Sequence, residues 1–299
     1  MKKNIRRSML FVPASSEKMM YKAGLLECDA VIYDLEDSVS FSQKTSAREM
    51  LVGYLSEERP ENKEIVVRIN GMDSFLGITD LYELLPCNID TFLIPKATPE
   101  VLLAADVIIT AYERDLRLEP DVIGMIALVE TAYGIQTIDG IAGVAKRMTG
   151  MQLGAEDLTK DLGIQRTAAG DELWYARNVL SCAAHSRNMD AIDTPFTDYR
   201  DAQAHEEEAW LAKSVGMTGK TAIHPAQIEV INKIFSPSEQ EILEAQEIVN
   251  AYGKAVIEGK GAVGVNGRMV DAPIAERAQQ LLDKAEEIRN RIFTPAYCQ

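Results

Sequence analysis

Eight short apolar runs recur along the chain, and each is followed by a longer segment of polar and helical character. The runs are Ser8–Val12, Ala30–Leu35, Ile65–Ile69, Thr91–Ile94, Ile123–Val129, Gly150–Leu153, Asp190–Thr194 and Gly219–Ile223. Several are apolar throughout, as in a parallel strand buried on both faces. In the intervals, Met19, Met20, Ala23 and Leu26 share one side of Ser16–Leu26, and Thr98 and Pro99 stand as N-cap and first residue of a helix over Pro99–Glu113. Asp171–Arg187 and Asp201–Val215 are long and amphipathic, and Pro225–Phe235 follows the last run. Eight strand-then-helix units in succession predict a closed (β/α)8 barrel of the TIM type, in the α/β class. A doubly wound open sheet competes, but it usually has fewer strands and a Gly-rich first turn. Here Val12-Pro13-Ala14-Ser15 follows the first strand.

The barrel is assigned to residues 1–235 of the 299, leaving 236–299 as an extension. Ser236-Pro237-Ser238-Glu239 reads as a capping box that starts a helix ending near Ile257. Ala262–Val265, Asn266-Gly267 and Arg268–Val270 form a hairpin on a type I′ turn, and Ala272–Ile292 is a last amphipathic helix. This C-terminal helix–hairpin–helix extension is not needed to close a barrel, so it reads as a lid or an oligomer contact. Two glycine motifs in the same region are decoys. Gly259-x-Gly261-x-x-Gly264 follows a helix and precedes a strand, the reverse of a dinucleotide fingerprint. Gly216-Met217-Thr218-Gly219-Lys220-Thr221 has Ser214 where a phosphate loop needs its first glycine, and its Lys-Thr pair enters a strand.

Lys plus Arg number 31 and Asp plus Glu 46, a net charge of −15, which excludes a general nucleic-acid binder. Cys28, Cys87, Cys182 and Cys298 are widely spaced and read as reduced thiols. Polar residues follow Met1-Lys2-Lys3, and no apolar run is long enough for a membrane span, so a cytoplasmic protein is expected.

In such a barrel the chemistry lies at the carboxyl ends of the strands. The second strand ends in Asp34-Leu35-Glu36-Asp37, the third in Arg68-Ile69-Asn70-Gly71, the fourth in Pro95-Lys96 and the fifth in Glu130-Thr131. The sixth ends in Gly154-Ala155-Glu156-Asp157, the seventh around Asp193-Thr194 and the eighth in His224-Pro225. Many acids around one mouth are unfavourable unless a cation neutralises them. Oxygen donors with only three histidines in the chain point to Mg²⁺, or Mn²⁺, rather than zinc. Glu130 and Asp157, from neighbouring strands, are the candidate ligand pair. The plainer reading is that each acid caps the helix that follows. Arg68 ends an apolar strand, where a guanidinium can hold a substrate carboxylate through two parallel bonds, or else pair with Glu36 or Asp37.

These residues occur in a recognisable order. Arg6-Arg7-Ser8-x-Leu10-Phe11-Val12-Pro13, Asp34-Leu35-Glu36-Asp37-Ser38-Val39, Val67-Arg68-Ile69-Asn70, Leu93-Ile94-Pro95-Lys96, Glu130-Thr131-Ala132-x-Gly134 and Leu153-Gly154-Ala155-Glu156-Asp157 are continued by Arg166-Thr167-x-x-Gly170-x-Glu172-Leu173, Asp193-Thr194-Pro195 and Val270-Asp271-Ala272-Pro273. Over essentially its whole length the chain resembles the citrate lyase beta-subunit family, which includes malyl-CoA, citramalyl-CoA and related CoA-thioester lyases. The resemblance implies a Mg²⁺-dependent carbon–carbon lyase with Glu130 and Asp157 on the metal. It implies that Arg68, with the backbone donors of Gly154 and Ala155, binds the carboxylate of a 2-oxo acid, and that Glu36 and Asp37 order water at the metal. It also implies a homotrimer or hexamer in which the C-terminal segment covers a neighbour's site and Asp271 serves there in trans as acid/base. From the residues alone, Asp271 reads as an N-cap ahead of Pro273.

The implied substrate is a 3-hydroxy-acyl thioester with a second carboxylate. Mg²⁺ would lower the pKa of its hydroxyl, and loss of that proton would drive cleavage to a 2-oxo acid and a thioester enolate, which an acid then protonates. This route needs no Schiff-base lysine, the role open to Lys96 in another aldolase class. For the polyanionic carrier, the basic cluster Lys2, Lys3, Arg6, Arg7, Lys18 and Lys22 flanks the first strand. Arg7, Phe11, Pro13 and Lys18 are the candidate CoA contacts.

Two carriers fit the resemblance. One is CoA, used by a lyase acting alone on a citramalyl-, malyl- or citryl-type thioester to give acetyl-CoA. The other is an acyl-carrier protein, served by the beta subunit of a citrate lyase complex with alpha and gamma partners. His224-Pro225, where complex subunits tend to have Asn-Pro, favours free CoA. Intact Glu130, Asp157, Arg68 and Asp271 speak against a third reading, a non-catalytic acyl-CoA-binding scaffold.

Overall fold

Every apolar run becomes a strand in the computed structural model, which describes residues 5–167 and 169–290. The strands are β1 (Ser8–Pro13), β2 (Ala30–Asp34), β3 (Glu64–Arg68), β4 (Thr91–Ile94), β5 (Gly124–Val129), β6 (Met148–Leu153), β7 (Asp190–Asp193) and β8 (Gly219–Ala222). They pair in parallel in sequence order, and β1 also pairs with β8, so the sheet closes. The barrel is filled from alternate positions of the strands. Met9, Ala30, Ile32, Val66, Leu93, Ile126, Leu128 and Ile192 form one buried cluster, with Phe11 packed against it. Positions two apart on a strand share a face, so this cluster is the inward face of the sheet.

Helices cover the outside where their periodicity predicts. Thr98 Oγ1 accepts from Val101 N at 3.3 Å to cap Pro99–Asp115, and Asp201 Oδ1 accepts from Ala204 N at 3.0 Å to cap Ala202–Ser214. The segments after Gly170 and after His224 begin as short 3₁₀ turns and become α-helical at Trp174–His185 and Ile228–Phe235.

The amino end of the barrel is closed by charge. Arg6 donates to both oxygens of Glu64 at 2.7 Å, and to Thr149 and Asp190. Arg7 grips Asp29 through Nε and Nη2, both at 2.8 Å. Both arginines precede β1, and their acids stand at or before the starts of β2, β3 and β7. They therefore lie at the face opposite the one where the sequence reading looked for a CoA contact at Arg7. Lys2 and Lys3 of the same basic cluster fall outside the described residues. Removing one partner of a buried pair costs about 3–5 kcal/mol. Arg7→Met is accordingly expected to lower stability by about 3 kcal/mol or more in urea unfolding, without raising the KM for a thioester substrate.

The described residues form two compact units, 5–232 and 233–290. In the second, Glu239–Ile257 packs on Ala272–Arg289 and on the hairpin of Val263–Val265 and Arg268–Val270. Asn266 (φ 49°) and Gly267 (φ 77°) supply the two left-handed residues that a type I′ turn demands. The capping box stands two residues later than the sequence suggested. Ser238 Oγ accepts from Glu241 N at 3.2 Å, while Glu241 Oε2 accepts from Ser238 N at 2.7 Å. Ser-x-x-Glu occurs in both registers, and the later one is where the glutamate reaches back to the cap. Among the described residues no helix is long and apolar enough to cross a membrane.

Candidate active site at the carboxyl ends of the strands

The site is built on β2 and β3. Asp34, the last residue of β2, is in register with Arg68, the last residue of β3. Arg68 donates to Asp34 through Nε and Nη2, both at 2.7 Å, and its Nη1 reaches Asp37 Oδ2 at 3.1 Å. Glu36 Oε2 lies 3.2 Å from the same Nη1 without making a hydrogen bond. The Phe11 ring supports the guanidinium from 5.0 Å. Asp34 also accepts from the backbone N–H groups of Glu36 and Ser38 at 2.8 and 3.0 Å, and Lys44 Nζ ties down the carbonyls of Leu35 and Glu36. Burial pushes the Asp34 carboxyl up, but the bonds and charge of Arg68 outweigh it and hold the group below the usual carboxylate range. Asn70, two residues past the end of β3, is engaged by Asp80 through its backbone and side-chain N–H groups at 2.9 and 2.6 Å.

The metal candidates stand across the mouth. Glu130 follows β5 and is 2% exposed, and its Oε1 accepts from Lys96 N at 2.7 Å. Only glycine fits at 154: a Cβ there would stand 2.6 Å from Glu130 Cβ and 2.7 Å from Oε2. Asp157 lies in the first turn of Ala155–Asp161, its partly exposed carboxylate 3.7 Å from Lys160 Nζ. Burial pushes Glu36 up to about 7, with Asp37 and Asp34 adding to the rise against Arg68 and Lys96. Burial, with the charge of Glu36 next, pushes Glu130 up to about 8. Two buried acids that resist ionisation beside each other fit a divalent cation. Among the described residues no three His, Cys, Asp or Glu side chains form a metal cage. A cation here would therefore draw on a carboxylate pair plus water and substrate oxygens, the habit of Mg²⁺.

The model of the HpcH/HpaI aldolase/citrate lyase family matches residues 7–225. The chain belongs to that family. It is 36% identical over 282 residues to citrate lyase subunit beta of Leuconostoc mesenteroides subsp. cremoris, covering 94% of this chain and 93% of the relative. It is 31% identical over 304 residues to the L-malyl-CoA/beta-methylmalyl-CoA lyase of Cereibacter sphaeroides, covering 94% and 95%. The fold matches the crystal structure of protein CitE from Mycobacterium tuberculosis in complex with magnesium, acetoacetate and coenzyme A. The TM-score is 0.77 at 31% identity, over 94% of this chain and 98% of that one. The family and these names make the chain a carbon–carbon lyase.

Set against this family, the sequence-predicted residues divide. Arg68, Glu36, Asp37 and Glu130 share the mouth, and the charge of Asp157 reaches Glu130 and Lys96. Phe11 and Pro13 lie half-buried at the carboxyl end of β1, and Lys18 is exposed on Glu17–Gly24 just beyond. The backbone donors assigned to substrate are engaged: Gly154 N donates to Val129 O at 3.0 Å and Ala155 N to Thr194 Oγ1 at 3.2 Å. Asp193 is buried away from this cluster, held by Arg177 and Lys220. His224 caps a 3₁₀ turn and stacks on Tyr199, with ring centroids 4.6 Å apart. Asp271 caps the helix Ala272–Arg289.

Asp34 and the backbone of Lys96 were missed as site-builders. Asp34 was visible in principle, because an in-register pair at two adjacent strand ends must meet. The Lys96 backbone, at φ 47°, carries no sequence signal.

Proposed function

We propose that the protein is a Mg²⁺-dependent lyase that cleaves a 3-hydroxy-dicarboxylic acyl-CoA thioester of citramalyl, malyl or citryl type to acetyl-CoA and a 2-oxo acid. The observation that carries the reading is Glu130, held by Lys96 N–H and raised first by its burial and then by its acidic neighbours at the strand ends. Glu130 and Asp157 hold the cation, with Mn²⁺ an alternative. Bound there, it would supply the positive charge that makes the substrate hydroxyl acidic. Glu36 and Asp37 would order water at the metal. Asp271, from a neighbouring copy in a cytoplasmic homotrimer or hexamer, moves the proton to and from the acetyl carbon. Phe11, Pro13 and Lys18 flank the path of the CoA arm.

A panel of acyl-CoA thioesters with Mg²⁺, assayed for release of oxaloacetate, pyruvate or glyoxylate, tests this directly. A protein that releases none of the three from any of them is not this lyase. The likeness to a citrate lyase subunit beta supports a second reading, in which citryl on an acyl-carrier protein is the substrate and alpha and gamma subunits are partners. Preference for the carrier-protein thioester over its CoA counterpart in the same assay selects that reading.

The raised carboxyls also predict a pH-dependent metal response. Without metal, Glu36 and Glu130 keep their protons in the folded protein up to about 7 and about 8, against 4.5 for an ordinary glutamate. Their contribution to stability is complete below the ordinary value and is lost as pH rises through those folded values. Mg²⁺ binds the ionised form and opposes the loss. The Mg²⁺-induced rise in Tm should therefore grow between about pH 6 and about pH 8.5. A Tm increment independent of pH would contradict this.

A further inference from the structure

We propose that Asp161 is a positioning residue for the cation site: its bond to Ala132 N sets how Asp157 stands against Glu130. The inference rests on the lyase reading above, in which those two carboxylates hold the metal. Glu130 and Asp157 leave adjacent strands that stay in register to their ends, Val129 beside Leu153. The ladder runs on to Gly154 N, which donates to Val129 O at 3.0 Å. Beyond that bond each segment turns into its own helix, Ala132–Gln136 after β5 and Ala155–Asp161 after β6. Asp161 joins the two again, its Oδ2 accepting from Ala132 N at 2.7 Å.

Its own helix gives no reason for an acid at 161. Asp161 ends that helix, where a negative charge opposes the macrodipole, and its side chain is exposed, so packing does not account for it. At Ala132 the sign reverses. That N–H opens a helix and is one of the donors with no partner inside it. The Thr131 hydroxyl serves Gly134 N at 2.9 Å, and Asp161 serves Ala132 N. The spacing carries the effect to Asp157. Residues four apart lie one above the other on a helix face. Asp161 is turned to the segment after β5, so Asp157 is turned to the same side, towards Glu130. The amino end of the helix is held from the other direction. Ala155 N donates to Thr194 Oγ1 after β7, and Glu156 Oε1 accepts at 3.0 Å from Arg166, which is itself anchored on Glu208. Released from Ala132, a helix of seven residues would pivot on those ties and carry Asp157 away from Glu130. Mg²⁺ demands near-ideal octahedral geometry, so such a shift weakens its binding.

The test is calorimetric titration of the full-length protein with Mg²⁺, beside melting curves without metal. Asp161→Ala is expected to bind Mg²⁺ about tenfold more weakly, the lower end of what the outer partners of metal ligands contribute. Its Tm should stay within about 2 °C of wild type, because the site is exposed. Asp161→Asn keeps an acceptor for Ala132 N and loses the charge, so it should bind Mg²⁺ within about threefold of wild type. The Mg²⁺ concentration that gives half-maximal turnover should shift by the same factors. The pair of variants separates position from charge, since a long-range attraction of the carboxylate for the cation would be lost equally in both. The assignment is overturned if Asp161→Ala binds Mg²⁺ within about twofold of wild type, or if Asp161→Asn is as weak as Asp161→Ala. It is overturned equally by an Asp161→Ala whose Tm collapses, which marks a bond needed for folding. If wild type itself binds no Mg²⁺, the cation site and the lyase reading fail first, and the role of Asp161 fails with them.

Discussion

Glu130→Gln is expected to lower turnover by roughly 10³-fold or more, and to abolish the Mg²⁺-induced rise in Tm. The substitution is close to isosteric. Its carbonyl oxygen still accepts from Lys96 N, and its chain still lies against Gly154, where no other residue fits. What it removes is the ionisable oxygen pair proposed to hold the cation. A metal contributes several kcal/mol of charge stabilisation, and each 1.36 kcal/mol is tenfold in rate, which sets the size of the loss. The stability effect has the opposite sign. In wild type without metal, the Glu130 carboxyl must either keep a proton up to about 8 or ionise while buried. A glutamine escapes that choice, so the metal-free variant should melt above wild type near pH 8, by a margin that vanishes well below the raised value. Single-turnover assays and melting curves with and without Mg²⁺ check both halves. Wild-type turnover in Glu130→Gln, or an undiminished Mg²⁺ effect on its Tm, would remove Glu130 from the metal.

The barrel was legible because its signal is redundant. Eight apolar runs with helical intervals leave few architectures, and no single boundary decides among them. One boundary moved because of a charged residue. Glu64 opens β3 although the apolar run starts at Ile65, because Glu64 is the buried partner of Arg6. The misplacement of Arg7 came from reading charge without direction. A residue before a strand lies at the amino end of the barrel, so Arg6 and Arg7 were placed away from the mouth by their position alone. The site was legible as a list of strand-end residues, but not as a set of partners. Arg68 was read as a carboxylate clamp, with a pair to Glu36 or Asp37 as the alternative, and it meets both acids through one nitrogen. Its main partner is Asp34, because register sets those two side by side. Asp193 failed for a related reason: a strand-end acid can face the helices instead of the mouth, and its pairing with Arg177 and Lys220 is visible only in three dimensions. The left-handed turn at Lys96 was not legible at all, since lysine has no preference for it.

Asp271→Asn separates two roles that one side chain combines. Asp271 Oδ1 accepts from Ile274 N at 3.4 Å at the start of Ala272–Arg289, so part of its presence is explained by capping alone. Asparagine caps a helix about as well as aspartate, whereas alanine loses about 1 kcal/mol. Asparagine cannot carry the proton. If Asp271 is the acid/base, Asp271→Asn should keep the wild-type Tm while losing about 10²–10⁴ in turnover, the range for general acid–base catalysis. Asp271→Ala should show the same loss plus a small drop in Tm. A purely capping residue gives the reverse: normal turnover in Asp271→Asn and a defect confined to Asp271→Ala. Action in trans makes a sharper prediction. Glu130→Gln and Asp271→Asn are each expected to be nearly inactive alone. Mixed and allowed to exchange subunits, they form oligomers in which an intact Glu130 site on one copy meets an intact Asp271 from another, and activity should return. Exchange that is demonstrated by differently tagged subunits, yet restores no turnover, would confine Asp271 to its own subunit's site or exclude it from catalysis.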